Sequence, residues 1–536
     1  MPSPRPLQSE TTGARPVWLL TVSWRGKTYR WSTIPITIQT GAGETLPYPG
    51  GLGDTSISEA IARGSIGAAT VPLRVRFDED LIAMSVRGHR LSTARGYVDM
   101  VTTRDEATAV QTWEGRYRYI SGRIVLPQFG EYGQPPGGAA FSLETSVGED
   151  RGRILPPASA ISVYTWPTCR TTAVGKVIPR VFGSPGYYSI GGTATTTEGS
   201  PAYPVEDAAG TTDTLAIAWG HCTGTQVTIF ADAIASFTAT PVKEWDTLGN
   251  AVTTVDISGK SAAIRTASSY WVGWNAATGT RLPYSGTDHQ GAGDILRLLW
   301  TSSTVPVDHG AWASVAGALN NVKLGFYVND IDVSPSEWAL GNTADLLPLE
   351  MIAGPDGWCP VLDELEVSSQ QVRHIVEGPD FRWVGPLSED QTPGDLISSY
   401  TLRYAARGST GDFKRTITIA SKAADGGIFE AQAMVDAELM GAVDAALIKE
   451  TRLIHDEASA GRVARYQARR LSTLPQFGVF SAAPSYGWLS PGDKAAITST
   501  HLGVTALVTE IRGKRWMGGR WIYGVRWPYG LSGARR

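Results

Sequence analysis

The sequence has few features that would indicate a catalytic or metal-binding function. Only three of its 536 residues are cysteines, Cys169, Cys222 and Cys359, and they lie far apart in the sequence. An odd and scattered set favours reduced thiols over a disulfide framework. An iron–sulfur cluster needs clustered cysteines, so these three do not match one.

Charge and long apolar runs are also scarce. Charged residues make up 18% of the chain, below the ~25% usual for soluble domains, and the net charge is −4. This balance argues against a protein whose whole surface binds nucleic acid. No apolar run is long enough for a transmembrane helix, which predicts no stable membrane insertion. Residues 1–15, MPSPRPLQSETTGAR, lack the apolar segment of a secretory signal and are expected to form a flexible or docking arm.

Sequence motifs of catalysis are missing as well. The chain has no G-x-S-x-G or H-E-x-x-H segment, and the pair Gly175-Lys176 lacks the upstream glycine and following Ser or Thr of a phosphate-binding loop. The neighbours His221 and Cys222 could bind a metal or activate a thiol, but a zinc site would need two further ligands that the spacing does not supply. Buried structural cysteine is the favoured interpretation.

Two acidic groups complete the search for chemistry. Asp294, Asp308 and His309 could act as an acid–base cluster, although helix capping by the two aspartates explains them without catalysis. Asp363, Glu364 and Glu366 could form the carboxylate pair of a glycosidase, and a solvated strand face explains them equally. The sequence therefore predicts no catalytic residue, no metal site and no cofactor.

Aromatic residues, in contrast, are abundant: the chain has 18 Trp and 19 Tyr. Trp and Tyr bury a large area and also tolerate water at the polar edge of the ring. In a chain with so little charge, their abundance favours surfaces that bind other proteins or ligands. A β-rich protein with aromatic cores is the alternative.

Alternating strands dominate residues 16–155. Trp18, Leu20, Val22 and Trp24 share one face of a strand, which returns through an Arg25-Gly26 turn into Thr28–Ser32. Residues 71–77 alternate again. Residues 116–120 and 123–125 are predicted to form a hairpin that turns at Ser121-Gly122. Such strands indicate a β-barrel or sandwich.

The middle of the chain contains patterns typical of loops, helices and strands. Residues 191–215, rich in Gly, Thr, Ala and Ser, predict a long loop or an irregular β segment. Two helices are expected to begin at Asp294 and Asp308 as N-caps, the first with an apolar stripe of Ile295, Leu298 and Leu299 and the second with one of Trp312, Val315 and Leu319. A strand is expected at 324–328.

The last third has the clearest local signals. Strands are predicted near 365–367, 374–376 and 400–404, followed by a mostly helical passage, 428–471. The sequence Leu489-Ser490-Pro491-Gly492-Asp493 predicts a type II turn, because Pro491 presets φ and Gly492 supplies a positive φ. Strands 495–498 and 504–511 follow.

Basic residues concentrate after residue 501, where Trp521, Tyr523, Val525 and Trp527 alternate between arginines. Exposed, such a face could bind single-stranded nucleic acid. The alternation instead favours aromatics that pack on a core or neighbour while the cations meet an acidic partner. The residues predicted to form a partner interface are Arg512, Lys514, Arg515, Trp521, Tyr523 and Trp527.

Several segments, in order, resemble the tail-tip or baseplate hub proteins of long-tailed (siphovirus-type) bacteriophages. They are the Tyr-x-x-Ile-Ser-Gly-Arg-Ile run at 117–124, Gly-Lys-x-Ile-Pro at 175–179, Val-Ser-Pro-Ser-Glu-Trp at 333–338, and the closing helix, Leu-x-Pro-Gly-Asp turn and strand pair at 457–511. The resemblance implies a mainly β, multidomain fold with minor α, in which two tail-tube-like β-barrels per chain carry inserted α+β domains.

The same resemblance implies a domain order and a structural function. The expected boundaries are a 1–15 arm, a 16–155 tube-like barrel, a 156–345 inserted domain, a 346–454 return segment and a 455–536 C-terminal helix and β-unit. The implied function is that of a non-enzymatic, homotrimeric hub, made in the bacterial cytoplasm and resident at the tail tip of the virion. It would adapt the sixfold tail tube to a threefold tip and form part of the conduit for genome ejection.

The partners that the resemblance implies are further copies of the chain, a distal tail or tail tube protein, the tape measure protein and central fibre or receptor-binding proteins, with DNA only in transit. A host-glycan-binding adhesin or a glycoside hydrolase of the tail tip is the alternative that the aromatics and acids leave open.

Overall fold

A computed structural model defines the architecture of the chain. It describes residues 15–39, 43–53, 58–60, 69–76, 87–103, 110–112, 116–129, 138–145, 150–190, 193–208, 211–222, 226–232, 235–274, 291–354, 357–363, 372–385, 388–389, 396–421, 428–430, 435, 437–438, 441–442, 444–473, 475–517 and 519–527.

The first part of the chain is a six-stranded antiparallel sheet in the order β2-β1-β7-β9-β10-β6, with a three-stranded sheet, β4-β3-β8, beside it. The strands are β1 Arg15–Trp24, β2 Lys27–Ser32, β3 Ile36–Gln39, β4 Thr45–Tyr48, β5 Ser58–Ala60, β6 Ala69–Arg76, β7 Arg95–Thr103, β8 Val110–Thr112, β9 Arg116–Phe129 and β10 Gly138–Thr145.

Strand β1 is buried on both faces except at the exposed Ser23, which explains its apolar run at residues 17–20. Trp18, Leu20, Val22 and Trp24 enter the main core, as their alternation predicts. The opposite face carries Val17 and Leu19, which pack against the three-stranded sheet. The predicted hairpin to β2 is present, and Arg25 and Gly26 both adopt positive φ, as a two-residue type I′ turn requires.

Residues 51–53 close this sheet into a barrel. They lie between the two edge strands: Leu52 N–H donates to Ser32 O at the end of β2 (3.0 Å), while Gly53 N–H donates to Arg74 O on β6 (2.8 Å). Arg76 N–H in turn donates to Gly51 O (2.9 Å), and the Trp31 indole donates to Arg76 O (2.6 Å). Both edges are therefore paired, which protects them from other strands. We call this unit the first barrel.

One predicted hairpin in the first barrel is wrong. Residues 116–129 form the single long strand β9, so the chain does not turn at Ser121-Gly122. Gly122 is needed for another reason: a Cβ there would lie 2.4 Å from Glu144 O on the neighbouring strand β10. Glycine inside a strand often marks such a close backbone approach rather than a turn.

The central part of the chain contains a seven-stranded sheet in the order β17-β16-β20-β14-β15-β19-β18. Its elements are β11 Arg180–Gly183, β12 Tyr187–Ile190, β13 Thr193–Thr196, β14 Ser200–Ala208, β15 Thr211–Trp219, β16 Val227–Ala231, β17 Ala235–Ala239, β18 Val242–Trp245, β19 Ala251–Asp256, α1 Ala262–Arg265, β20 Tyr270–Trp274, α2 Ala292–Ser302, α3 His309–Leu319, β21 Gly325–Val328 and α4 Pro335–Thr343.

Of the two alternatives predicted for 191–215, the long loop is wrong and the irregular β segment is confirmed, because β13, β14 and the start of β15 occupy its described residues. Their threonines and alanines lie in antiparallel ladders, β12 with β13 and β14 with β15, and the second ladder is irregular, with register shifts between Pro204 and Asp207. β-branched threonine suits a pleated surface, and here that preference outweighs the turn-forming glycines.

The two predicted helices form, with one change at a cap. Asp308 is the N-cap of α3 and accepts a hydrogen bond from Ala311 N–H (2.9 Å), as predicted. Asp294 is not a cap. Gly291 holds that position of α2, and Asp294 lies in the first turn with its N–H donated to the side chain of Asn320 (3.0 Å). A carboxylate in the first turn still favours the positive end of the helix dipole.

The last part of the chain builds a second large sheet in the order β24-β32-β33-β34-β31-β25, with β26 and β5 attached, and a four-stranded sheet in the order β29-β28-β27-β30. The elements are β22 Leu349–Gly354, β23 Gly357–Leu362, β24 Arg373–Val376, β25 Phe381–Trp383, β26 Ser388–Glu389, β27 Ser399–Ala406, β28 Phe413–Ala420, β29 Ile428–Glu430, β30 Ala446–Glu450, α5 Glu457–Leu471, β31 Gln476–Ala482, β32 Lys494–Ser499, β33 Val504–Met517 and β34 Arg520–Trp527.

A tight turn closes the second large sheet. Its edge strands β24 and β25 are joined by residues 377–380, in which Asp380 N–H donates to Val376 O (3.1 Å) and Gly378 N–H to Phe381 O (2.9 Å). The Trp383 indole also reaches across to Ser499 Oγ (3.1 Å) at the end of β32. The two edges of the sheet thus meet, and we call this unit the second barrel.

Some of the predictions for the last third of the chain are confirmed and others are wrong. Helix α5 spans the predicted residues, and Asp456 caps it by accepting from Ser459 N–H. The wider helical passage at 428–471 is wrong, since β29 and β30 lie in it, each parallel to a neighbour. The type II turn is confirmed: Asp493 N–H donates to Ser490 O (3.0 Å) and Gly492 has φ +88°. The strand predicted at 365–367 lies outside the described residues.

The two barrels share one hydrophobic core, although about 370 residues of chain separate the residues that meet there, as in the hydrogen bond between Tyr119 and Gly487. The fold-class prediction is confirmed: the chain is mainly β with minor α, multidomain, and contains two barrels with inserted α+β parts. The domain boundaries remain a prediction.

Candidate functional site

The candidate site is the junction where the two barrels meet, because two of the residues predicted to form an interface, Lys514 and Trp521, contact the first barrel there. Trp18 of the first barrel packs edge-on against Trp516 and Trp521 of the second, with ring centroids 6.3 and 6.0 Å apart. Tyr119 stacks on Trp521 at 5.4 Å. Aromatic pairs of this geometry contribute about 0.5–1.5 kcal/mol each beyond their buried area.

Lys514 lies at the centre of this aromatic cluster. Its side chain is almost fully buried, and its Nζ donates to Gly487 O (2.6 Å) and to the Tyr119 hydroxyl (3.2 Å). The ammonium also lies over the rings of Tyr119 and Trp521, at 4.3 and 4.5 Å from their centroids. A desolvated cation over aromatic faces is stabilising, so Lys514 joins the barrels instead of presenting charge to solvent.

The backbone crosses the junction too. Strand β5, which belongs to the first barrel's stretch of sequence, pairs antiparallel with β33 of the second barrel, with Gly513 opposite Ala60 and Arg515 opposite Ser58. The junction is therefore continued by a sheet ladder, which fixes the register between the barrels.

A buried ion-pair network lies behind the second barrel. Glu510 on β33 accepts from Lys494 Nζ (2.9 Å) and from the Arg526 guanidinium (Nε, 3.0 Å). Arg512 contacts both Glu510 and Glu350, the latter on β22. Burial raises the pKa of Glu510, but Lys494, Arg526 and Arg512 together lower it more, so the pKa lies below its usual value.

Asp363 extends the network toward helix α5. It accepts from Arg526 (2.7 Å) and from the Tyr466 hydroxyl on α5 (2.7 Å). Burial alone would lower the pKa of Arg526, but Glu510 and Asp363 raise it above its usual value. Three carboxylates and three cations thus face one another, and they join the β22–β23 hairpin and α5 to the second barrel.

Most of the residues predicted to form a partner interface are covered by the chain itself. Trp521, Tyr523 and Trp527 are buried completely in the shared core. Lys514 and Arg512 make the internal contacts described above, which leaves Arg515 as the exposed member. Their contact with a partner remains a prediction, and in this chain it would have to be made through Arg515 and the residues around it.

The other chemical candidates have structural explanations. Cys222 is buried, which raises the pKa of its thiol to about 12, and His221 is hydrogen-bonded to Glu244 O (2.9 Å). Asp363 belongs to the ion network, whereas Glu364 and Glu366 lie outside the described residues. Within the described ranges no group of three or more His, Cys, Asp or Glu side chains could hold a metal ion.

Sequence reasoning missed the carboxylates that neutralise the basic C-terminal strands. Glu350 stands alone in the apolar strand Leu349–Gly354, and Glu510 stands alone among the C-terminal cations. A single acid within an apolar strand is a usable signal for a buried ion pair, since an unpaired buried charge is too costly to retain.

The chain is thus a multidomain, mainly β protein built on two joined barrels, and no helix in its described part is long and apolar enough to cross a membrane. No family model and no curated protein matches the sequence.

The solved structures that the chain resembles include phage and prophage tail proteins. The 43 kDa tail protein of prophage MuSo2 from Shewanella oneidensis matches with TM-score 0.38 and 8% identity over 95% of this chain and 98% of that one. A tail protein from Neisseria meningitidis has TM-score 0.36 and 9% identity, with 95% and 96% coverage. A chain of a native gene transfer agent virion has TM-score 0.37 and 12% identity, with 66% and 84% coverage. Identities and TM-scores this low transfer no residue's role.

Proposed function

We propose that the chain is a structural component of a phage-type tail, a homotrimeric hub at the tail tip. The observation that carries the proposal is the pair of closed barrels fixed side by side by Trp18, Tyr119, Lys514 and Trp521. A contact that is aromatic, hydrogen-bonded and continued by a strand ladder holds its two parts at one angle, as a ring-forming scaffold needs.

The number of barrels explains how such a hub would match its neighbours. Three chains with two barrels each present six barrels in a ring, so a threefold assembly can contact a sixfold tube. The opening of that ring would be part of the conduit for the tape measure protein and then for DNA in transit. In this proposal no side chain performs catalysis, and the partners are the distal tail or tail tube protein on one side and fibre or receptor-binding proteins on the other.

The exposed Arg515 would belong to the surface that meets an adjacent tail component. Its strand is held from behind by Lys514 and Arg512, so the guanidinium stands on a rigid support. Arg515→Glu should weaken association with that neighbour and leave the fold intact, because a rim charge affects association more than stability.

Light scattering of the purified full chain, followed by imaging of the intact particle, tests the proposal. A threefold mass in solution and a ring of six barrels at the tail tip are the expected results. A chain that stays monomeric at high concentration and binds or cleaves a glycan would contradict the hub and favour the adhesin or hydrolase alternative.

A further inference from the structure

Exposed apolar side chains collect at one end of the seven-stranded sheet. Val163, Tyr164, Trp245 and Leu248 are 55%, 82%, 63% and 65% exposed. We call these four residues the insertion patch. Their segments touch, since the Thr247 hydroxyl donates to Tyr164 O and Thr247 N–H to Thr165 O (3.3 Å).

The patch is rigid rather than loosely exposed. The ring of Trp245 stands edge-on against His221, with centroids 4.6 Å apart. The turn after it is fixed by Asp246, whose carboxylate accepts from Leu248 N–H (2.9 Å), Asn250 N–H (2.8 Å) and the Asn250 side chain (2.8 Å). An ordered aromatic surface of this kind loses little conformational entropy when it is covered.

The size of the patch suits a protein partner. From typical side-chain areas, its exposed apolar surface is on the order of 400 Å², within the range of the largest patch on a monomer. One side of a standard interface buries about 800 Å², of which a little over half is apolar. The insertion patch therefore supplies nearly the apolar area that one such interface needs.

The polar groups of the patch argue against a sugar as its occupant. A glycan that stacks on Trp245 and Tyr164 would need side-chain donors and acceptors close by. The nearest ones are already engaged within the chain, Asp246 by its own turn and Thr247 by Tyr164 O. Two of the four residues are aliphatic, which adds area without polar recognition.

A second apolar surface lies on the second barrel, at the turn that closes it. Val376, Val384 and Val479 are 41%, 53% and 38% exposed, and Val384 N–H donates to Val479 O (2.9 Å). We call these three residues the seam patch. The other large apolar side chains exposed in the described part of the chain are Val174, Val242, Ile448 and Met517, of which Ile448 and Met517 lie on strands β30 and β33.

We propose that the insertion patch is covered by a second copy of this chain, on the seam patch of that copy. A closed ring of three identical chains needs two different, complementary surfaces on each chain, and these two patches supply them. The inference rests on the proposed homotrimer and adds to it the contact that closes the ring.

The test uses the full chain carrying Tyr164→Glu with Trp245→Glu, or Val479→Glu alone. All of these side chains are exposed, so thermal unfolding should match that of the wild type. Light scattering over a concentration series should show the trimer's dissociation constant raised at least roughly 100-fold in each variant, because interface anchors dominate affinity. Ile448→Glu, at a side chain 54% exposed outside both patches, is the matched control and should remain trimeric.

Mixing the two variants sharpens the test. Each keeps one intact patch, so the mixture should form a heterodimer through a single restored contact but no ring. If wild type and both variants are trimeric, the inference fails while the hub proposal stands. A monomeric wild type overturns both. If the variant with Tyr164 and Trp245 substituted remains trimeric but loses the adsorption to glycan that the wild type shows, the patch binds a sugar and the inference fails.

Discussion

The two barrels protect their edges by different means and depend on different parts of the chain. The first is closed by a short segment, Gly51–Gly53, laid between its edge strands, and its arginines Arg76 and Arg95 point outward into solvent. The second is closed by the turn between β24 and β25, and its cations Arg512 and Arg526 face the β22–β23 hairpin, where they pair with buried carboxylates.

This difference shows which barrel needs the inserted parts of the chain. Glu350 and Asp363 come from the β22–β23 hairpin and its end, outside the barrel strands that they neutralise. Without them the three cations of the second barrel would face a single carboxylate, Glu510, whereas the first barrel has an ion pair of the buried Asp99 with Arg118 (3.1 Å) and is otherwise held by apolar packing and backbone bonds. Changes to the charge network should therefore affect the second barrel far more than similar changes on the first.

The largest effect is expected from Glu510→Gln. Glu510 faces Lys494, Arg512 and Arg526, and removing its charge leaves three largely buried cations with only two carboxylates, those of Glu350 and Asp363. We expect a loss of about 3–5 kcal/mol in the free energy of unfolding, measured by denaturant titration. Glu450→Gln is the control: its pair with Arg403 is about half exposed and should contribute under about 1 kcal/mol. Equal effects of the two substitutions would contradict the comparison.

The pH dependence of stability checks the same network. Because the pKa of Glu510 is lowered in the folded chain, its contribution is complete above the unfolded carboxyl pKa of about 4.3 and is lost as the pH falls through the lower folded value. The Gln variant should lack this part of the acid transition. If the free energy of unfolding of the variant falls at acid pH in the same way as that of the wild type, other carboxylates dominate the acid transition.

The first barrel depends on a close backbone approach between β9 and β10 at Gly122. Gly122→Ala would bring a Cβ to 2.4 Å from Glu144 O, so β9 and β10 must separate locally. The expected cost is about 1–3 kcal/mol in the free energy of unfolding. Gly317→Ala, in helix α3 with open space around it, should be neutral or slightly stabilising. A Gly122 variant as stable as wild type would restore the hairpin interpretation of Ser121-Gly122.

Gly492→Val tests the turn of the second barrel. Gly492 has φ +88°, and an added Cβ would lie 2.7 Å from a methyl group of Val361. Strain and contact together should lower stability by about 2 kcal/mol. Gly503→Val has a similar φ of +66° but open space, so the difference between the two variants isolates the contact with Val361. If thermal unfolding is unchanged in the Gly492 variant, the turn does not require glycine.

The smallest effect is expected from Arg76→Ser on the first barrel. Its backbone closes the barrel through Gly51 and Trp31, but its side chain is exposed. The free energy of unfolding should stay within about 0.5 kcal/mol of the wild-type value in the same denaturant titration. A loss of more than about 2 kcal/mol would mean that the first barrel depends on its exposed charges as much as the second barrel depends on its buried ion pairs.

Local patterns were sufficient for much of the fold. The alternation of β1, the cap and length of α5, the cap of α3 and the type II turn at Gly492 each follow from a few neighbouring residues. Where the local signal was ambiguous the prediction failed: glycine at 122 serves a close strand contact, and the residues at 446–450 form a strand parallel to β27. Parallel pairing depends on distant partners, which composition does not reveal.

Only part of the candidate site could be predicted from the sequence. The basic and aromatic character of the C-terminal strands was visible, but whether those side chains face a partner or the chain's own core was decided by residues hundreds of positions away, such as Tyr119 and Glu350. The sequence by itself determined the alternation of β1, helix α5, the cap of α3 and the turn at Gly492, because these depend on nearby residues, and its composition determined the low content of charge. Only the tertiary structure decided that two distant strand sets share one core and that Lys514 is buried, because hydrophobic burial and charge pairing depend on what the folded chain brings together.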